Sequence, residues 1–123
     1  MNTRETGYCG EEAAAEYLRS LGYEIAETNY TIRGGEIDII ALDGNTLVFA
    51  EVKTRRFGEM CAAEAVDSAK IQHIVRSAER YVTEKKQVTD SMQIRFDCIE
   101  VYFENVREGI KTKINHIKNI DVT

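Results

Sequence analysis

Two short apolar runs dominate the chain's pattern. Residues 37–42, IDIIAL, and 47–50, LVFA, are rich in Ile, Leu, Val and Phe and predict strands buried on both faces. Asp43-Gly44-Asn45 between them is a hairpin signal, with either Gly44-Asn45 or Asp43-Gly44 as its central pair. Upstream, residues 8–21, YCGEEAAAEYLRSL, read as an amphipathic helix with its apolar stripe at Ala14, Ala15, Leu18 and Leu21. Gly22 suits the left-handed position that ends such a helix. Residues 23–31, YEIAETNYT, alternate as a strand lying beside the first hairpin strand. Residues 64–85 predict a second helix, with Ile71, Ile74, Val75, Ala78, Tyr81 and Val82 as its core stripe. A polar connection over 85–93 leads to a strand at 94–103, IRFDCIEVYF, with Ile99, Val101 and Phe103 on one face. The end is ambiguous: Ile110, Ile114, Ile117 and Ile120 fit helical spacing, whereas KTKIN reads as an edge strand. A short strand followed by a helical turn is the expectation.

These elements make one α/β domain over residues 1–123. A helix precedes a mixed β-sheet entered through an antiparallel hairpin, and a crossover helix of the length that parallel strands require leads to one or two more strands. Composition agrees. A chain of 123 residues supports a single core, and 43% hydrophobic with 30% charged residues is the balance of a soluble globular protein. No apolar run approaches the roughly 18 residues of a membrane span, and MNTRETGYCGEE lacks the apolar core of a secretory signal. Cys9, Cys61 and Cys98, odd in number and widely spaced, fit free buried thiols in a reducing cytosol better than disulfides or a zinc motif. A cytoplasmic location and no membrane partner are expected. No glycine-rich phosphate loop, repeat or low-complexity segment is present.

The hairpin carries residues that its apolar surroundings do not explain. Asp38, Glu51 and Lys53 lie on the two buried strands, where each ionised group costs about several kcal/mol unless a partner or a metal compensates it. If Gly44-Asn45 is the loop, Asp38 stands directly opposite Glu51. If Asp43-Gly44 is the loop, Glu51 moves by one pair and keeps its face. Opposed residues have Cβ atoms about 4.5–5.5 Å apart, and two carboxylates at that spacing can each give one oxygen to Mg²⁺ at roughly 2.0–2.1 Å. Lys53, two residues past Glu51, points to the same face. The bland alternative is a surface Glu-x-Lys ion pair worth roughly 0–1 kcal/mol. Glu11 falls on the apolar stripe of the first helix, with Glu12, Glu16 and Arg19 on the wet side; it is either a site residue or a first-turn acid favoured by the helix dipole.

Glu11 on a first helix, GEIDIIA, FAEVKTR, a helix carrying Lys70 and the later RFDCIEV strand together resemble the YraN-like family of small bacterial proteins. That family is similar in fold to the archaeal Holliday-junction resolvases, within the restriction-endonuclease-like superfamily of PD-(D/E)xK nucleases. The match runs from YCGEEAAAEYL to about HIKNI. The resemblance implies a restriction-endonuclease-like core in which Glu11, Asp38 and Glu51 hold Mg²⁺ (or Mn²⁺) and Lys53 assists the attacking water. It also implies a nucleic acid, DNA above all, as partner, and a homodimer, since resolvase relatives work as dimers; no self-association surface is legible in the sequence. Ile37 replaces the proline of the motif name, and Met60-Cys61 stands where the family usually has a proline after Phe57-Gly58, which puts the shape of that loop in question.

Charge cuts the other way. The net charge is −5 and the pI about 5.1, whereas duplex-binding domains usually show a basic face. A bound divalent ion offsets part of the deficit. Arg33 before the acidic strand and Lys53, Arg55 and Arg56 after it form a cluster suited to weak, salt-sensitive phosphate contact; Arg55 and Arg56 read equally well as a solvated strand end. Lys70 and Gln72 are further candidates for phosphate contact, and His73 reads as exposed. The expected activity is metal-dependent hydrolysis of nucleic-acid phosphodiesters at a branched or distorted structure. The alternatives are a non-catalytic nucleic-acid-binding or adaptor protein with the same fold, and a metal-free interaction domain that leaves the buried acids unexplained.

Overall fold

The computed structural model describes residues 3–56 and 68–122; of residues 3–9, 56 and 68 it describes the backbone alone. Along the chain run α1 (Thr3–Ser20), β1 (Glu24–Ile32), β2 (Gly35–Asp43), β3 (Thr46–Arg56), α2 (Ser68–Glu84), the single turn α3 (Lys86–Thr89), β4 (Gln93–Val106) and β5 (Gly109–Ile117). The strands form one sheet in chain order, β1-β2-β3-β4-β5. Every neighbouring pair is antiparallel except β3 and β4, which are parallel. That single parallel step is the one that needs a long crossover, and α2 supplies it.

The two apolar runs behave as their composition dictates. Ile37, Ile39, Ile40 and Ala41 of β2 and Leu47, Val48, Phe49 and Ala50 of β3 are at most 1% exposed. One face packs under α1, where Ala14, Ala15 and Leu18 meet Ile39, Ala41, Val48, Ala50, Ile99 and Val101, with Phe103 against them. The other face packs under α2, where Ala78 and Tyr81 meet Ile37, Ile40, Leu47 and Phe49. Each fully buried large side chain contributes roughly 1.5–3 kcal/mol relative to exposure, so these central strands are the rigid part from which a site can be built.

The turns follow local chemistry. Gly22 has φ +90°, its N–H donates to the Arg19 carbonyl and that of Tyr23 to the Leu18 carbonyl, the paired bonds that close a helix C-terminus. In the hairpin, Asp43 pairs with Thr46 and Gly44 has φ +58°, which selects Gly44-Asn45 as the two-residue loop.

Three expectations are corrected. Leu21 is 49% exposed, because the helix has already ended where the stripe would place it against the sheet. The polar connection over 85–93 contains the turn α3, whose last residue, Thr89, is buried with its hydroxyl 3.0 Å from the Lys85 carbonyl. The tail adopts no helical turn: β5 is a nine-residue edge strand, and 118–122 continue without helix. Cross-strand pairing with β4 overrides the 3.6-residue spacing of the isoleucines there, and Ile114 alone of them packs into the core. Residues 64–67 of the expected second helix, the Met60-Cys61 loop and Cys61 lie outside the described residues, as does the side chain of Cys9. Cys98 is a buried free thiol, pushed up to about 11 by burial. No helix among the described residues is long and apolar enough to cross a membrane.

Candidate functional site

β2 and β3 pair from Asp43 and Thr46 as far as Ile39 and Ala50. Past that point they part: β2 continues only against β1, to Gly35, and β3 only against β4, to Arg56. Asp38 and Glu51 are the first residues beyond the last pair and stand in the mouth of the fork. The backbone N–H of Val52 donates to Asp38 Oδ2 at 2.8 Å. A carboxylate thus takes the ladder bond that a strand would have made, satisfying a donor that burial would otherwise penalise.

Strict alternation does not hold at this point. Ile39 and Ala41 belong to the α1 layer, whereas Ile37 and Ile40 both belong to the α2 layer, so the pattern slips by one at Asp38. On β3, Leu47 and Phe49 face α2, and Glu51 follows them. Counted on in register from the Ile39–Ala50 pair, Asp38 and Glu51 are the next opposed positions, as the two-residue loop predicts. Asp38 interacts with both Glu11 and Glu51.

Each flanking helix delivers one side chain. α1 is held so close to β3 that a Cβ on Gly10 would collide with the Thr54 side chain. That close approach sets the next residue, Glu11, at the fork while Glu12 and Glu16 stay exposed. From the first turn of α2, Lys70 Nζ reaches Glu51 Oε1 at 3.1 Å, with Glu51 almost wholly buried and Lys70 about half exposed. The result is a chain of contacts, Glu11 to Asp38 to Glu51 to Lys70.

Crowding shows in the proton affinities. Glu51 is raised to about 7, by burial first and then by the Asp38 charge, against the opposing pull of Lys70. Glu11 is also raised to about 7, by burial, then Asp38 and Glu36, while a hydrogen bond from Asn29 acts the other way. For Lys70, burial is the largest effect and acts downward, but Glu51, Asp38 and Glu36 together raise it. Three carboxyl groups thus hold more negative charge than their surroundings offset, the condition that favours a proton or a cation.

The donor set suits a hard cation. All three groups offer oxygen, the ligand type of Mg²⁺ and Mn²⁺. Among the described residues, no three His, Cys, Asp or Glu are already closed around a common point; Lys70 holds the outer oxygen of Glu51 instead. A groove of about 470 Å³ along α1 and β1, lined by Glu11, Glu12, Glu16, Arg19, Thr28 and Asn29, opens the Glu11 end to solvent.

The remaining sequence candidates scatter. Lys53 follows Glu51 on β3, opposite Glu100, and its charge reaches the Cys98 thiol. Arg55 lies 3.9 Å from Glu100 with both side chains mostly buried, so it is turned along the sheet rather than outward. Arg33 is exposed in the turn joining β1 to β2. Arg56 ends β3, and its side chain is outside the described residues. His73 and Gln72 are exposed on α2.

Two features escaped the sequence. Asn29 has a left-handed backbone, φ +53°, and this conformation accompanies an amide directed at Glu11. Its signal was an asparagine, a residue that tolerates positive φ, inside an alternating strand. The second is a buried polar cluster under α1, away from the fork. Asp97 is 1% exposed and accepts from Arg95 Nε at 2.9 Å, Arg95 Nη2 at 3.0 Å and the Asn119 N–H at 2.9 Å. His116 Nε2 lies 2.7 Å from it, and His116 Nδ1 is 3.0 Å from the Tyr17 hydroxyl. Arg95 also donates to Tyr23 and Asp43. Burial alone would raise Asp97, but the bonds from His116, Arg95 and Asn119 outweigh it and hold it below the usual carboxylate range. With every oxygen satisfied, this cluster fastens the tail to β4; an acid inside the apolar run RFDCIEV was its sequence signal.

Comparison with known proteins covers nearly the whole chain. Residues 10–101 match the model of the uncharacterised protein family UPF0102. A UPF0102 protein of Caldicellulosiruptor saccharolyticus is 47% identical over 97% of this chain and 98% of its own length. One from Caldanaerobacter subterraneus is 44% identical over 97% of this chain and 96% of its own. One from Clostridioides difficile is 41% identical over 97% and 98%.

Proposed function

The chain belongs to the uncharacterised protein family UPF0102, the YraN-like family of its motifs, and we propose that it is a metal-dependent nuclease hydrolysing nucleic-acid phosphodiesters. One observation carries the reading: Glu11, Asp38 and Glu51 follow one another in a chain of contacts where β2 and β3 part, with Glu11 and Glu51 raised to about 7. A structural role does not account for two acids on the central strands crowded by a third from α1, whereas an oxygen-lined cation site does.

In this reading Glu11, Asp38 and Glu51 hold Mg²⁺ or Mn²⁺. The ion supplies polarisation of a phosphodiester oxygen and a lowered pKa for water. Val52 fixes the orientation of Asp38 through its N–H, and Asn29 does the same for Glu11. Lys53, two residues past Glu51 on β3, would orient the attacking water or balance charge that develops on the phosphate. Arg33 and the basic end of β3 supply phosphate contacts. DNA with a branch or distortion is the proposed substrate, and two copies acting across a two-fold junction is the proposed assembly.

A second reading has one observation in its favour. Net charge is −5, and Arg55 and Lys70 are already paired with Glu100 and Glu51. An adaptor that keeps the fold without catalysis fits that charge. Cleavage of linear, flap and four-way-junction DNA in Mg²⁺, Mn²⁺ and EDTA separates the two. Metal-dependent cutting that is lost in Asp38→Asn supports the nuclease; intact substrates in every condition, with no metal bound, support the adaptor.

A further inference from the structure

Lys70 already occupies a ligand at the fork. Its ammonium lies 3.1 Å from Glu51 Oε1, and its charge also acts on Asp38 and Glu36. Glu51 is 8% exposed and Lys70 48% exposed, so the acid is fixed in the fork while the ammonium sits at its rim on a flexible stem. Lys70 belongs to the first turn of α2, a helix anchored further along by Ile74, Ala78 and Tyr81. The side chain can therefore leave Glu51 by rotating, with no shift of the helix.

We propose that Lys70 is a built-in counter-cation that a divalent metal must displace from Glu51, so that it sets the metal affinity of the site. The inference rests on the metal-site reading above and adds its regulation. Glu51 Oε1 cannot accept the ammonium and serve the metal fully at once, because the two cations repel at that distance. Without metal, the ammonium compensates part of the charge of the acids and keeps the fork folded. With metal, the ammonium keeps its proton, swings to the rim and faces outward, beside the place where a phosphate would approach. One side chain thus weakens metal binding and, once released, offers a cation to an anionic substrate.

Lys70→Met keeps length and apolar stem and removes the charge; Lys70→Arg keeps a cation. Calorimetric titration of the full chain with MnCl₂ at low ionic strength and fixed pH reads the exchange, with metal-free melting curves as the control for folding. Lys70→Met is expected to bind Mn²⁺ about five-fold tighter than wild type or better, equivalent to roughly 1 kcal/mol, while Lys70→Arg stays within about two-fold of wild type, as retained charge requires. A purely structural lysine would instead lower the melting temperature in both metal states and weaken binding. If wild type binds Mn²⁺ and Lys70→Met binds it equally or less tightly, the exchange is wrong and the metal site stands. Binding by Lys70→Met alone would support the exchange in its strongest form. Silence from all three proteins overturns both the exchange and the metal site.

Discussion

The Val52 N–H donates to Asp38 Oδ2 at 2.8 Å, at the step where β2 stops pairing with β3. This bond ties the opening of the sheet to the placement of an acid. Were Asp38 apolar, the Val52 donor would be left without that acceptor in a half-buried position, and the strands would gain by closing. The fork and the carboxyl cluster are therefore one structural feature.

Asp38→Asn tests that feature directly. Asparagine keeps an oxygen for Val52 and removes the charge that raises both Glu11 and Glu51. The metal-free variant should be more stable than wild type by about 1 kcal/mol, the size of one unit of carboxyl pKa. Metal binding and cleavage should fall together. Thermal melting against MgCl₂ or MnCl₂ concentration reads both: the wild-type midpoint climbs with metal and that of the variant stays flat.

The pH dependence has a definite sign. Glu11 and Glu51 titrate near 4.5 when unfolded and at about 7 in the fold. The native state then binds more protons than the unfolded chain between those values, so the metal-free protein should lose stability as pH rises from about 4.5 to about 7. Asp97 acts oppositely: held below its ordinary range, it contributes stability above its unfolded value that is lost as pH falls through its native one. Urea melts from pH 4 to pH 8 should show the decline toward neutrality, and saturating Mg²⁺ should flatten it.

Asn29 separates backbone from amide. Asn29→Gly accepts φ +53° and loses only the hydrogen bond to Glu11, whereas Asn29→Ala also meets the left-handed penalty of roughly 1–2 kcal/mol. Both should weaken metal binding by a similar factor, while Ala alone should also lower the metal-free melting temperature. Equal metal affinity in wild type and Asn29→Gly would remove Asn29 from the site.

Lys53→Ala should leave the metal-dependent melting shift in place and slow cleavage by about 10²-fold or more, the range of a lost proton-handling or electrostatic group. Equal losses in metal affinity and rate would make Lys53 a partner of the ligands instead.

The Asp97 cluster should behave as scaffold. Asp97→Ala strands Arg95 and His116 in a buried position and should cost about 3–5 kcal/mol. At a temperature where the variant remains folded, its metal affinity should match wild type, since nothing in that cluster touches the fork.

Local sequence determined much of this protein. Apolar runs with no polar face required Ile37–Ala41 and Leu47–Ala50 to be central strands, and Gly44-Asn45 required a two-residue turn between them. Those two facts placed Asp38 opposite Glu51, and the stripe of α1 put Glu11 toward the sheet, because period and turn length are properties of consecutive residues. Only the tertiary structure decided the rest. The parting of β2 from β3 depends on what each strand pairs with on its far side, β1 or β4. The tail became β5 because β4 offered it a ladder, against the helical spacing of its isoleucines. Lys70 met Glu51, and Asn29 met Glu11, across 19 and 18 residues of chain that no periodicity links. Such contacts exist only when separate elements pack, and packing energy, summed over the whole core, is not written at any one position.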